Sequence, residues 1–123
     1  MSTDTQPGTG LLELSAVEAV ARMRRGELKA EDYAGALLAR AEVGWRLNGF
    51  ISISPGQVME AARAADRRRA AGGVLGPLHG LPIPIKDSVN TSDYPTTSGT
   101  AALRNFRPKE DAPVVCALPL RFA

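Results

Sequence analysis

Gly76-Pro77-Leu78-His79-Gly80-Leu81-Pro82-Ile83-Pro84-Ile85-Lys86-Asp87 is where the chain changes character. Upstream it is alanine-rich and amphipathic; from Gly76 to Thr100 it becomes a string of prolines, glycines and hydroxyl side chains. Ile83 and Ile85 alternate with Pro84 and Lys86, the period of a short strand with one apolar face. Pro82 and Pro84 each lack an N–H, so pairing of such a strand is partial at best. Lys86 closes the apolar run. Burying its ammonium is costly unless it is paired or loses its proton, and a neutral lysine can serve as a base. The same residues also describe a strand-end lysine whose stem packs on apolar surface while its head reaches water, with Asp87 as an occasional partner. Residue pattern alone leaves both readings open.

Outward from this stretch, three helices precede it. Ser15-Ala16-Val17-Glu18 has capping-box spacing, and Gly26 follows Arg24 and Arg25 as the matching stop. A second helix is predicted from Ala30 to Leu47, with Glu31 and Asp32 at its positive end. Its stripe of Tyr33, Leu37, Leu38, Ala41 and Trp45 reads as core. Asn48-Gly49 ends it, and Phe50-Ile51-Ser52-Ile53 reads as a short strand. Ser54-Pro55-Gly56-Gln57 starts a third helix, with serine as cap and proline at the first helical position. Val58, Ala61, Ala62 and Ala65 form its apolar side, while Glu60, Arg63, Asp66 and Arg67 are placed outward. Arg67 to Arg69 lie in its last turn, where the helix dipole favours cations, so a solvated helix end accounts for them.

Composition narrows the function classes. The 123 residues suit one domain, and Lys plus Arg (15) against Asp plus Glu (13) leaves a formal charge of +2, too small for a nucleic-acid footprint. Aromatics at 5% disfavour an all-β fold. A lone cysteine, Cys116, and a lone histidine, His79, cannot form a disulfide or a structural zinc site, so neither a metal nor a cofactor is expected. Cys116 reads as a small core residue and His79 as a loop side chain. The opening residues lack a basic start and an apolar run, and nothing reaches transmembrane length, so a cytoplasmic protein that does not bind membranes is expected.

The stretch from Gly76 to Asp87 strongly resembles the lysine-bearing block of the amidase signature family. Asn90-Thr91-Ser92-Asp93-Tyr94-Pro95-Thr96-Thr97-Ser98-Gly99-Thr100-Ala101-Ala102-Leu103 is similar to the threonine-rich loop that follows that block. Asp111-Ala112-Pro113-Val114-Val115 is similar to the start of the family's next helix, and Leu14-Ser15-Ala16-Val17-Glu18-Ala19-Val20 to its helical lead-in. Asn-Thr, Pro-Thr-Thr and Gly-Thr in this order look most like the indoleacetamide and mandelamide hydrolase branch. The resemblance implies an α/β fold: a helical N-terminal region followed by the first strand or strands of a mixed sheet, incomplete. It implies a disordered N-terminus over 1–13, the N-terminal part of an amidase domain over 14–118, and an aberrant or truncated tail over 119–123, where Pro119 interrupts an expected helix.

The resemblance also implies chemistry. Amidases of this family cleave carboxamides to acid and ammonia with a serine nucleophile, a second serine in a cis peptide, and the lysine of this block as base; by resemblance that lysine is Lys86. Both serines belong to a Gly-Gly-Ser-Ser-Gly-Gly-Ser type segment that these 123 residues do not contain. Ser88 and Ser98 lie near Lys86 in sequence but have no identifiable oxyanion partner, and loop serines mostly bond their own backbone. The expectation is therefore a truncated amidase, inactive by itself, whose full-length relatives act on a small-molecule amide. The alternative is a noncatalytic helical module that pairs with a complementing chain or forms a homo-oligomer, since an open sheet edge is a template for pairing. A mobile or aggregation-prone C-terminal third is expected from the same missing strands.

Overall fold

The computed structural model describes residues 9–118; the tail at 119–123 and residues 1–8 of the N-terminal stretch lie outside that range. The helices are α1 (Thr9–Leu12), α2 (Ala16–Arg25), α3 (Ala30–Val43), α4 (Pro55–Ala70) and α5 (Pro113–Ala117). Short 3-10 turns occupy Trp45–Leu47 and Ala101–Leu103. Leu11 of α1 and Leu14 after it pack against the core.

Local signals account for most helix ends. The Ser15 hydroxyl accepts the Glu18 N–H at 3.2 Å, half of the capping box. The Glu18 side chain turns instead to Arg22, one turn on, at 2.8 Å. Gly26 takes the left-handed conformation, φ 75°, and its N–H reaches the carbonyls of Arg22 and Met23. Pro55 opens α4, preceded by an extended Ser54 whose side chain makes no capping bond.

Helix α3 starts at Ala30 as predicted, but its cap comes from elsewhere. The Asp66 carboxylate on α4 accepts the Ala30 N–H at 2.8 Å and the Glu31 N–H at 3.0 Å. Asp66 is thus not outward-facing: it satisfies two orphan amides of a neighbouring helix and places negative charge at that helix's positive end. At its other end α3 stops at Val43, four residues short of the predicted Leu47. The change from 3.6 to about 3 residues per turn at Trp45–Leu47 swings Trp45 off the α3 stripe, leaving it 70% exposed rather than in the core.

The core is small and built from close approach. Ala19, Val20 and Met23 of α2, Leu28, Ala30, Tyr33 and Ala34 at and within α3, and Ala62 of α4 are buried together. Met23, 1% exposed, is the largest fully buried side chain. The turn 77–80 docks on this core through Gly80, whose φ is 73°. A methyl group there would stand 2.8 Å from the Met23 sulfur and 2.9 Å from the Ala30 Cβ, so glycine is required both for the conformation and for the contact. Arg24 secures the approach by donating to the carbonyls of Leu75 at 3.1 Å and Gly76 at 2.8 Å.

The helical part of the expected α/β architecture is present, and the sheet part is not: the described residues contain no β-strand. Phe50–Ile53 and Leu81–Lys86 are irregular rather than strands. A strand needs a neighbour for its N–H and C=O groups. None of the described segments pairs with either stretch, and Pro82 and Pro84 withdraw two donors from the second.

Candidate active site

Beyond Leu81 the chain carries no regular element until α5 apart from one 3-10 turn, and polar bonds give it shape. The Lys86 carbonyl accepts the Val89 N–H at 2.9 Å, closing a turn directly after the apolar run. Asp87 faces the loop ten residues on: its carboxylate accepts the Thr97 N–H at 3.1 Å and the Thr97 hydroxyl, and its backbone carbonyl accepts the Ser98 N–H at 3.1 Å. Thr97 is buried, and its Oγ1 also accepts the Gly99 N–H at 3.1 Å. The Thr97 hydroxyl and amide, with the neighbouring Ser98 and Gly99 amides, hold the Asp87 carboxyl below the usual carboxylate range.

A second carboxylate repeats the device. Asp111 accepts the Ser92 N–H at 2.7 Å and the Ser92 hydroxyl at 2.9 Å, next to an Ala112 N–H bond to the Asn90 carbonyl at 2.9 Å. The Thr96 N–H donates to the Phe106 carbonyl at 2.9 Å, while its buried hydroxyl has no partner.

Lys86 itself is exposed, and its ammonium makes no ion pair or hydrogen bond among the described residues, where Arg22, Arg25, Arg63 and Arg67 are ion-paired. Ser88 and Ser98 are exposed and no hydrogen bond joins either to Lys86. Ser98 takes the left-handed conformation, φ 50°, as a turn residue. The structure therefore brings Lys86, Ser88 and the Thr97–Gly99 turn into one neighbourhood without wiring a serine to the lysine.

His79 lies in the docking turn and is only 2% exposed, more deeply placed than a loop side chain suggests. Burial pushes its imidazole below the ordinary value; Asp66 opposes this, and Arg24, Arg68 and Arg69 reinforce it. Cys116 is exposed, not core, and its thiol lies 3.6 Å from the Asp111 carbonyl. In the arginine run, Arg67 pairs with Glu60 at 2.7 Å and the Arg69 guanidinium stands over Gly26. No cluster of metal-ligating side chains occurs among the described residues, nor any helix long and apolar enough to cross a membrane. A shallow apolar groove of about 250 Å³ lies between α2 and the turn 77–81, lined by Val17, Val20, Ala21, Pro77, Leu78 and Leu81.

Sequence reasoning missed three side chains that position this region: Asp66, Arg24 and Thr97. Their partners lie 36, 52 and 10 residues away. Only Thr97 carried a local signal, as a hydroxyl residue before Ser-Gly in a turn-rich segment facing an Asp in a second turn.

Known proteins are similar to this sequence. A family model described as Amidase matches residues 33–119. A glutamyl-tRNA(Gln) amidotransferase subunit from Salinispora arenicola is 41% identical over 108 residues, 87% of this chain and 22% of that protein. The protein of the same name from Thermobifida fusca is 42% identical over 107 residues (86% and 22%), and that from Geobacter sulfurreducens 41% over 109 (88% and 22%). The chain thus spans 22% of the length of these relatives. Their name differs from the aryl-acetamide branch suggested by the Asn-Thr and Pro-Thr-Thr residues.

Proposed function

This chain belongs to the amidase family, and we propose that it is the lysine-bearing N-terminal part of a carboxamide hydrolase, with Lys86 as the base. The observation that carries this reading is the match of the amidase family model over residues 33–119, which contain the Gly76 to Asp87 block. Lys86 closes that block, which docks on the helical core at Gly80 and is followed by the Asp87 turn; its amine is exposed here, so the burial that would favour its neutral form has to come with the segment that carries the serines. A serine hydroxyl is a weak nucleophile until a base takes its proton. In the proposed reaction the nucleophilic serine attacks the amide carbonyl while its proton passes through the second serine to the neutral Lys86 amine. The proton then leaves with ammonia, and water releases the acid from the acyl-serine. Both serines must come from a Gly/Ser-rich segment outside these 123 residues, so the chain by itself is inactive. Lone Cys116 suits a reducing, cytoplasmic setting.

A second reading, a noncatalytic helical module that pairs with a complementing chain, is favoured by one run of side chains. Val43, Trp45, Leu47, Phe50, Ile51 and Ile53 are all exposed along a short stretch of chain, Leu47 at 85%. Apolar patches of this kind mark surfaces that a partner covers. The amidotransferase relatives are themselves named as subunits.

Ammonia release from phenylacetamide or indoleacetamide separates the readings, measured for the chain alone and for the chain co-expressed with a polypeptide carrying the Gly-Gly-Ser-Ser-Gly-Gly-Ser segment. The chain alone should release none. The pair should show saturable release that Lys86→Ala lowers by at least about a hundredfold. Release by the chain alone that Lys86→Ala abolishes contradicts its incompleteness; release by the pair that ignores Lys86→Ala removes Lys86 from the chemistry.

A further inference from the structure

We propose that the run Val43 to Ile53 is where a polypeptide carrying the rest of an amidase domain docks: its sheet takes up Phe50-Ile51-Ser52-Ile53 as a strand, with Trp45 and Leu47 as apolar anchors alongside. This rests on the reading that a complementing polypeptide supplies the serines, and it names where that polypeptide grips. Val43, Trp45, Leu47, Phe50, Ile51 and Ile53 are all exposed, and none of them belongs to the core or packs against it, so the helices close their core without this run. Arg46 is its one charged residue, and the guanidinium stands 5.8 Å from the centre of the Trp45 ring. The backbone is as open as the side chains: among the described residues no hydrogen bond uses an N–H or C=O of residues 49–53. Open ladder groups are a template for strand addition, in which main-chain bonds give affinity and pockets for alternate side chains give specificity. In an extended backbone Phe50 and Ser52 fall on one face and Ile51 and Ile53 on the other. Large apolar side chains on both faces suit a strand covered on both sides rather than a solvated edge. The occupant follows from place and length. The run lies inside the residues 33–119 matched by the family model, and the chain spans 22% of its amidotransferase relatives, so most of the length of such proteins has no counterpart in these 123 residues. The lysine block is the poorer handle, because Pro82 and Pro84 lack N–H donors and Leu81, Ile83 and Ile85 are already half-buried.

The test co-expresses the 123-residue chain with a tagged polypeptide made from the Thermobifida fusca relative by deleting its 107 matched residues, and recovers the complex through the tag. Ile51→Pro withdraws an N–H from the middle of the strand, and Ile51→Asp puts a charge on a face that the partner covers. Each should lower recovery of the chain at least about tenfold, whereas Ile51→Val should keep it. Because residue 51 is exposed and unbonded in the chain alone, both variants should retain its helical circular dichroism and melting temperature; Leu47→Asp, at the exposed anchor, replaces either one that does not. Trp45, the one tryptophan of the chain, reports cover directly. Its oxidation by N-bromosuccinimide, read by mass spectrometry on the peptide that contains it, should be at least about tenfold slower in the complex than in the chain alone. Recovery of folded Ile51→Pro and Ile51→Asp at the level of the unchanged chain overturns the proposal and leaves the complementing-chain reading standing, as does Trp45 oxidised equally fast in the complex. Failure to recover the unchanged chain overturns both. Oxidation of Trp45 that slows as the chain alone is concentrated makes a second copy the occupant, and also overturns the proposal.

Discussion

Residues 16–70 and residues 81–112 are held in shape by different forces. In the first region every long helix contributes to one apolar cluster, with alanines letting the backbones approach and Met23 filling the centre. In the second, the buried residues are Thr96, Thr97 and Pro108, and the shape comes from two carboxylates that each gather a backbone N–H and a hydroxyl from a distant loop. Apolar burial is non-directional and grows with the area removed from water, so the helical region holds most of the apolar stabilisation of the described residues. Hydrogen bonds contribute modestly in net stability but fix geometry, so the second region is well specified locally and weakly stabilised overall. That division suits the proposed role of the first region as a support for the segment that carries Lys86. Gly80 and Arg24 are the joints between the two.

The largest effect expected from breaking this contrast is at the centre of the first region. Met23→Ala should destabilise the chain by about 2–4 kcal/mol, read by urea denaturation, because it opens a cavity in a small core and removes the floor beneath Gly80. A loss no larger than that of Thr97→Val in the same assay would erase the distinction. Next comes Asp66→Ala, expected to cost about 1–2 kcal/mol by removing both α3 caps at once. Asp66→Asn should recover part of that, since one amide oxygen can still accept.

The smallest effect is titration of His79. Its folded value lies below its unfolded one, so the unfolded chain binds the proton more readily. The contribution is fully present above the unfolded value of about 6.5 and is lost as pH falls from there through the folded value. Melting temperature should therefore drop on acidification below about pH 6.5, and His79→Gln should flatten that drop. Asp87 works in the same direction at lower pH, since its carboxyl is held below its ordinary range and its contribution disappears as it protonates.

What was legible in the sequence was what depends on near neighbours. The Ser15 cap, the Gly26 stop, Pro55 at the start of α4 and Pro113 at the start of α5 all act within a turn of chain. A helical stripe extended past Gly44 misplaces Trp45, because the winding changes there. The alternation in Ile83-Pro84-Ile85-Lys86 records a preference for an extended backbone, but a strand also needs a partner, which a local period does not supply. The family could be read from the motif around Lys86. The setting of Lys86 could not, since the Asp87–Thr97 bonds join two loops that share no periodicity. Asp66 was hidden in the same way, as an acid on an apparently solvated helix face whose partner is the end of another helix.

Amide hydrogen exchange on the 123-residue chain tests the central claim most directly, that apolar burial stabilises the helical region more than hydrogen bonds stabilise the segment that carries Lys86. Protection should be concentrated in α2, α3 and α4, with amides from Leu81 to Leu118 exchanging far faster apart from brief retention at Thr97 and Ser92. Uniformly high protection from Leu81 to Leu118, equal to that of α3, would contradict it.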